Sequence, residues 1–303
     1  MGSLSFENKA KIACAYGGMI WGVFWLPLRA LDLAGITGSW ATATFFVLPL
    51  IILAPVIMYR WRYLVRGGIR LHLIGVFSGI AMVLYSDAFL YTEVVRAMLL
   101  FYLTPIWGTL LARIFLKEEI TPVRSLAIFT GFAGMMVIFG IDLGFPWPKN
   151  IGDWMGLASG FVWAIGMVLM RDDEGSSAVE ITTVYFLWGS VAAVVALFIP
   201  LSTAITTPDM GMLIETLPWL IPVMVIVVMP GVFAVMWGTP HLNPGVAGLL
   251  YMTEISVGAA SAAIWADEPF GMREIIGIIL ITLAGLMEVF VPPLARRFLP
   301  NRA

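Results

Sequence analysis

The sequence predicts an all-α polytopic membrane protein in which two inverted five-helix repeats surround a central cavity. Three observations support this prediction. Of the 303 residues, 60% are hydrophobic and 12% are charged, and the mean hydropathy is +0.96. Apolar runs of about 20 residues, the length of helix that crosses a bilayer, recur along the whole chain. A long segment of the first half also returns in the second half.

The repeated segment is 97–118, which returns as 247–268 with seven identical residues in 22 aligned positions. Composition alone would give roughly 2 identities. A second echo, at a spacing of 142 residues, pairs Gly18 with Gly160, Trp21 with Trp163 and Arg29 with Arg171. We therefore predict two domains, each a five-helix unit, at 1–146 and 147–303.

Charges, prolines and glycines divide the apolar sequence into ten predicted spans. In order, these are 12–31, 40–59, 71–91, 94–116, 123–141, 154–170, 178–199, 219–237, 244–266 and 272–291. Charged segments mark several of the boundaries: a basic stretch follows the second span, KEE follows the fourth and RDDEGSS follows the sixth. The connection 142–153, DLGFPWPKNIGD, joins the two repeats.

Lysine and arginine counts predict the orientation of the chain. With the N-terminus inside, thirteen of the 17 lie on the cytoplasmic side and four on the outer side. This positive-inside bias predicts a multi-pass membrane protein with both termini cytoplasmic. Five helices per repeat is an odd number, so the second repeat enters from the opposite side. Glu118 and its counterpart Glu268 are thereby predicted at opposite surfaces.

The sequence lacks the usual signals of several functional classes. The net charge of −2 and the scattered basic residues argue against nucleic-acid binding. His72 and His241 have no metal ligands at suitable spacing, and there is no glycine-rich phosphate loop or GxSxG elbow. We therefore expect a protein that is not an enzyme, has no metal or cofactor, and is a monomer whose partners are the lipid bilayer and a small-molecule substrate.

The most unusual residue for a membrane span is Glu254, about ten residues into the ninth span and near the bilayer midplane. A carboxylate is costly there, so it must face a cavity or a partner, or carry a proton. It is either an acceptor for a substrate ammonium, a proton-coupling site, or a structural carboxyl bonded to a neighbouring helix. Asp87 and Glu288 lie nearer the span ends, where interfacial solvation is expected.

Two prolines are candidates for hinges. Thr104 and Pro105 occupy the positions equivalent to Glu254 and Ile255, and a proline in mid-helix frees backbone carbonyls. Pro230, in the eighth span, offers a second bend. Kinks that serve packing alone are the alternative for both.

Aromatic residues make up 13% of the chain, and a cavity lined by them would stack an indole or phenyl ring and attract an ammonium. Trp21 and Trp163 are mid-helix at equivalent places of the two repeats. The full set of candidate substrate-binding residues is Trp163, Tyr85, Tyr102, Glu254, Tyr251, Trp21 and Trp237. Interfacial or lipid-facing positions are the alternative for each aromatic residue.

Three features occur together: two five-helix halves, a tryptophan in the first helix of each half, and a fourth helix that ends at a glutamate. With these features the sequence resembles the drug/metabolite transporter superfamily, specifically its EamA-like ten-helix members. The Tyr102-Leu103-Thr104-Pro105 run and the aromatic content are most similar to bacterial exporters of aromatic amino acids. The resemblance implies alternating-access export of aromatic and other neutral amino acids or similar small metabolites, either facilitated or coupled to protons. Export of cationic drugs or toxic amphipathic compounds is the alternative.

Overall fold

A computed structural model describes residues 5–140, 147–199, 207–265 and 270–298, and the regular structure in these ranges is helical. The fold contains α1 (Phe6–Gly22), α2 (Trp25–Leu33), α3 (Ser39–Ile52), α4 (Ala54–Arg66), α5 (Gly68–Ala88), α6 (Val94–Phe101), α7 (Thr104–Phe115), α8 (Pro122–Phe139), α9 (Ile151–Asp172), α10 (Ala178–Ala196), α11 (Met210–Val223), α12 (Met229–Gly238), α13 (Pro244–Tyr251), α14 (Thr253–Trp265) and α15 (Met272–Phe298). A π-helical turn, Met224–Val228, joins α11 to α12.

The all-helical membrane fold is confirmed. Within the described ranges, eight helices are long and apolar enough to cross a bilayer, or nine if the bent pair α3 and α4 forms one span. Helix α15 starts at the first residue of the tenth predicted span. The count of ten spans is not confirmed by these criteria. Glu268 and much of the predicted connection between the repeats lie outside the described residues.

Several predicted spans are broken rather than continuous. The first divides at Val23 and Phe24, because Pro27 has no N–H to bond the carbonyl of Val23. The second bends by 79° at Leu53, where α3 passes into α4 with Pro55 in its first turn. The first run, Phe6–Leu33, still counts as one candidate span, whereas α3 and α4 form a sharply bent pair.

The fourth helix of each repeat is broken in the same way. Both α6 and α13 contain eight residues, and their bounds differ by 150 positions, the spacing of the longer sequence echo. The two broken helices run antiparallel. A Cβ on Gly108 would lie 2.9 Å from the backbone of Pro244, and one on Gly248 would lie 3.0 Å from the Cα of Pro105. The repeats therefore meet through these two helices.

Glycines allow the closest helix contacts in the bundle. A Cβ on Gly79 of α5 would lie 2.5 Å from the backbone nitrogen of Gly189 in α10. A Cβ on Gly22 of α1 would lie 2.7 Å from the carbonyl oxygen of Glu254 in α14. Lipid offers no hydrophobic drive for helix association, so such small-residue contacts bring backbones together. They place Glu254 directly beside α1.

Replacing Gly79 with alanine tests this packing. The added methyl would collide with backbone rather than with a flexible side chain, so we expect Gly79→Ala to destabilise the fold by about 1–3 kcal/mol. The matched change Gly285→Ala in α15 meets only Leu250, at 3.7 Å. We expect it to be neutral or mildly stabilising. Thermal unfolding in detergent measures both, and equal unfolding temperatures for the two variants would contradict the assigned α5–α10 contact.

Candidate functional site

A cavity of about 530 Å³ lies between the two repeats. Glu254 lies at its inner end. Its aromatic walls are formed by Trp21, Phe24, Trp25, Tyr85, Phe89 and Phe139. Arg29, Val94 and Glu274 also line it, at the ends of helices on the face opposite to the start of α1. We call this the open face, and the face where α1 begins the N-terminal face.

The Glu254 carboxylate is held by two tyrosines from the first repeat. The Tyr85 hydroxyl donates to Oε1 at 3.2 Å, and the Tyr102 hydroxyl contacts Oε2. Tyr85 lies on α5, and Tyr102 lies in the break between α6 and α7. Two hydroxyl donors to one carboxylate satisfy part of the hydrogen-bonding demand that burial creates. The polar centre of the molecule is therefore shared by both repeats.

The Tyr102 hydroxyl has two acceptors within reach but only one proton. Besides the Glu254 carboxylate, it lies 3.1 Å from the carbonyl oxygen of Tyr251, the last residue of α13. When Glu254 is ionised, the proton of Tyr102 serves the carboxylate. When Glu254 carries a proton, that proton can be donated to the Tyr102 oxygen, and Tyr102 can donate to Tyr251 instead. The arrangement can thus pass the protonation state of Glu254 to the helix break.

Beneath Glu254, a layer of buried side chains closes the cavity. The hydroxyls of Tyr251 and Thr239 hydrogen-bond to each other. Trp163 stands edge-on to Tyr251, with ring centroids 6.2 Å apart, and its indole nitrogen has no hydrogen-bond partner among the described residues. Cys14 is fully buried in the same region, where it would contact a Cβ placed on Gly238. This layer separates the cavity from the N-terminal face.

A polar network ties the repeats together at the N-terminal face. Arg171, at the end of α9, donates to Glu118 Oε1 at 3.1 Å and to the carbonyl of Pro240 at 3.1 Å. The side chain of Asn243 donates to the other oxygen of Glu118 and also caps α13. A second cavity, of about 430 Å³, opens beside this network. The two cavities therefore lie on opposite sides of the buried layer.

The predicted binding residues do not all meet in one place. Trp21, Tyr85 and Glu254 line the main cavity. Tyr102 joins them through the Glu254 carboxylate, whereas Trp163 and Tyr251 lie in the layer beneath. Trp237 lines the second cavity instead. It packs against Phe6 and His241 there, at centroid distances of 5.5 Å.

The two proline sites differ in their local structure. Pro105 leaves the Phe101 carbonyl without its helical donor, and the Thr104 hydroxyl bonds that carbonyl in its place. The helix is interrupted here, between α6 and α7. Pro230 lies in the first turn of α12, directly after the π-helical turn, within a helical run of 32 residues from Met210 to His241. Pro230 therefore produces no break comparable to that at Pro105.

The interpretation of two other acidic residues is wrong. Asp87 is not interfacial but 4% exposed, and its carboxylate accepts hydrogen bonds from Ser39 and Thr42 of α3. Glu288 is also buried, with Arg124 3.4 Å away. In both cases the stabilising partner lies far away along the chain, so depth within the span gave no sign of it.

The sequence also missed several residues of the cavity. Phe24, Trp25, Phe89 and Phe139 lie on its walls, and Arg29 and Glu274 are its further charged residues. Arg29 did stand out, as the partner of Arg171 in the sequence echo. The aromatic residues had no signal that distinguished them from those facing lipid.

Comparison with known proteins identifies the first half of the chain. The family model described as "EamA-like transporter family" matches residues 8–140, from α1 to just beyond α8. The first half of the chain is therefore similar to members of this family. The second half is related to this EamA-like half by the sequence echo and by the shared break in its fourth helix.

Two further proteins are similar to this chain. A protein of Rhizobium johnstonii named "Riboflavin transporter" is 26% identical over 209 residues, which cover 59% of this chain and 64% of the relative. A solved crystal structure aligns with a TM-score of 0.70 and 16% identity, covering 93% of this chain and 98% of its own. The structural match shows a shared fold.

Arg171→Gln tests whether the polar network closes the N-terminal face. Losing one exposed ion pair removes about 0–1 kcal/mol from the closed arrangement, so the open population should rise by up to about fivefold. The readout is the rate at which a maleimide modifies the single cysteine, Cys14, which is buried in the closed layer. Arg70→Gln removes the neighbouring surface pair with Asp172 and serves as the control. Identical labelling rates for both variants and the parent would count against a closing role.

Proposed function

We propose that this protein is an inner-membrane exporter of amphipathic aromatic metabolites, with aromatic and other neutral amino acids as the principal class. The observation that carries the proposal is the carboxylate of Glu254 at the inner end of an aromatic-walled cavity. The substrate ammonium, or a proton, neutralises Glu254. Transport proceeds by alternating access, as the two repeats rock around the cavity.

The surroundings of Glu254 favour neutralisation by a mobile cation, either a substrate ammonium or a proton, rather than by a fixed lysine or arginine side chain. Both of its hydrogen-bond partners are tyrosine hydroxyls, and no described lysine or arginine pairs with it. A carboxylate away from bulk water is costly without a compensating charge, and at membrane depth such residues mark substrate or proton paths. An ammonium arriving with the substrate supplies the missing charge, and so does a proton between transport events.

The cavity walls suit a compact aromatic body. Trp21, Phe24 and Phe89 present ring surfaces beside Glu254, so an indole or phenyl ring can stack while its ammonium lies near the carboxylate. A volume of about 530 Å³ falls within the usual range for small-molecule sites, about 300–1,000 Å³. These features support a small amphipathic substrate.

Riboflavin is a second candidate substrate, because the similar Rhizobium johnstonii protein is named as a riboflavin transporter. The cavity has room for a ring system larger than indole. Cationic drugs are a third candidate, because Glu254 and the aromatic walls would bind a lipophilic amine as well.

Transport in proteoliposomes tests the proposal. We expect saturable counterflow of labelled phenylalanine and tryptophan, measured with and without a pH gradient, in the parent and in Glu254→Gln. Accumulation driven by the gradient and lost in Glu254→Gln would assign proton coupling to this residue, whereas counterflow indifferent to pH would indicate a facilitator. Flux of riboflavin or of a cationic drug alone would overturn the assignment to amino acids.

Tyr102→Phe tests the shared hydroxyl. A hydrogen bond to a charged group contributes about 1.5–3 kcal/mol, so we expect gradient-driven accumulation to fall by about tenfold or more. Exchange of substrate at equal pH on both sides should change far less, because the cavity walls stay intact. Tyr185→Phe removes a hydroxyl that is equally buried and lies away from Glu254, and it should behave like the parent. Equal losses in both variants would contradict a specific role for Tyr102.

A further inference from the structure

Arg29 is an exposed cation in the lining of the main cavity. It lies on α2, one helical turn beyond Trp25, which lines the same cavity. Among the described residues, Arg29 has no hydrogen-bond or ion-pair partner. Glu274 also lines the cavity, but one of its oxygens accepts the N–H of Gly271 at 2.7 Å, and it does not pair with Arg29. The guanidinium is thus available to a ligand.

The equivalent arginine of the other repeat shows what such a group binds. Arg171 is saturated by the Glu118 carboxylate and the Pro240 carbonyl at the N-terminal face. The sequence echo pairs Arg29 with Arg171, yet only Arg171 has acceptors from the described part of the chain. An arginine binds carboxylates with two parallel hydrogen bonds, which a lysine or a neutral side chain cannot reproduce. Glu268, the counterpart of Glu118, lies outside the described residues. Arg29 faces the main cavity, where a substrate carboxylate can serve as its acceptor.

Glu254 and Arg29 lie at different depths of the cavity. The close contact of Gly22 with the Glu254 backbone sets the level of the inner end. Arg29 follows seven residues later, a rise of about 10 Å for helical residues, which its long side chain partly spans. The cavity therefore has the Glu254 carboxylate at its inner end and, toward its mouth, the Arg29 guanidinium together with the Glu274 carboxylate, with aromatic walls between.

We infer that Arg29 recognises an anionic group of the substrate, so that the carried compounds are aromatic zwitterions rather than lipophilic amines. This inference rests on the proposed function, because it names the substrate class of the same cavity. The ammonium approaches Glu254, the ring stacks on the walls, and the carboxylate meets the guanidinium. A simple cationic drug would gain nothing from Arg29.

Competition against labelled tryptophan counterflow tests the inference. The competitors are tryptophan, tryptamine, which lacks the carboxylate, and indole-3-propionate, which lacks the ammonium. In the parent we expect tryptamine to compete at least about fivefold to tenfold more weakly than tryptophan. Arg29→Gln should reduce that ratio to within about twofold, and Arg29→Lys should retain part of it. Arg273→Gln removes a charge on the same face outside the cavity lining and should keep the parent ratio.

A second measurement covers variants that no longer transport. The rise in unfolding temperature caused by each compound reports binding without turnover. Tryptophan should stabilise the parent more than tryptamine does, and Arg29→Gln should be stabilised equally by both. If tryptamine equals tryptophan in the parent, or if the preference survives in Arg29→Gln, the inference about Arg29 is overturned while the proposed transport stands. Absence of any tryptophan flux or stabilisation in the parent would overturn both.

Discussion

The structure depends above all on one partly buried carboxylate, that of Glu254, which needs hydrogen-bond donors or a compensating charge. Glu254 belongs to the second repeat, but its two hydroxyl partners, Tyr85 and Tyr102, come from the first. Neither repeat can satisfy this group alone. The close helix contact at Gly22 brings α1 against the same point, and the break after α6 places Tyr102 where it can reach both the carboxylate and the end of α13. Any movement between the repeats must therefore change the hydrogen bonding of Glu254.

The two faces of the molecule show one sequence pattern in two environments. At the N-terminal face, Arg171 and Glu118 form a bonded network, with Tyr251 and Thr239 packed above it. At the open face, the equivalent Arg29 faces the cavity. The antiparallel arrangement of the broken helices makes these ends comparable. The N-terminal face is thus closed by contacts between the repeats, whereas the main cavity extends to the open face.

Most of the fold could be predicted from the sequence, because length and hydropathy decide whether a helix enters a bilayer. The repeat spacing located the paired broken helices, and depth alone drew attention to Glu254. Helix breaks at Val23 and Leu53 were missed, because an apolar run looks the same whether it is straight or bent. The environment of Asp87 and the position of Trp237 depend on distant partners. Hydropathy indicates whether a helix enters lipid, but not which of its sides faces a cavity. The residues that form the cavity walls could therefore be identified only from the structure.

The π-helical turn Met224–Val228 bears on how the two halves diverged. It follows Pro222, which has no N–H for the regular helical ladder, and a π turn accommodates one residue more than an α turn. The sequence echoes widen from 142 residues at Trp21/Trp163 to 150 at Ala97/Ala247, so the second half is eight residues longer than the first between these points (150 − 142 = 8). A duplicated gene whose copies differ in length no longer encodes interchangeable halves. The two halves are consequently related by approximate rather than exact symmetry, and the π-helical turn lies within the longer segment.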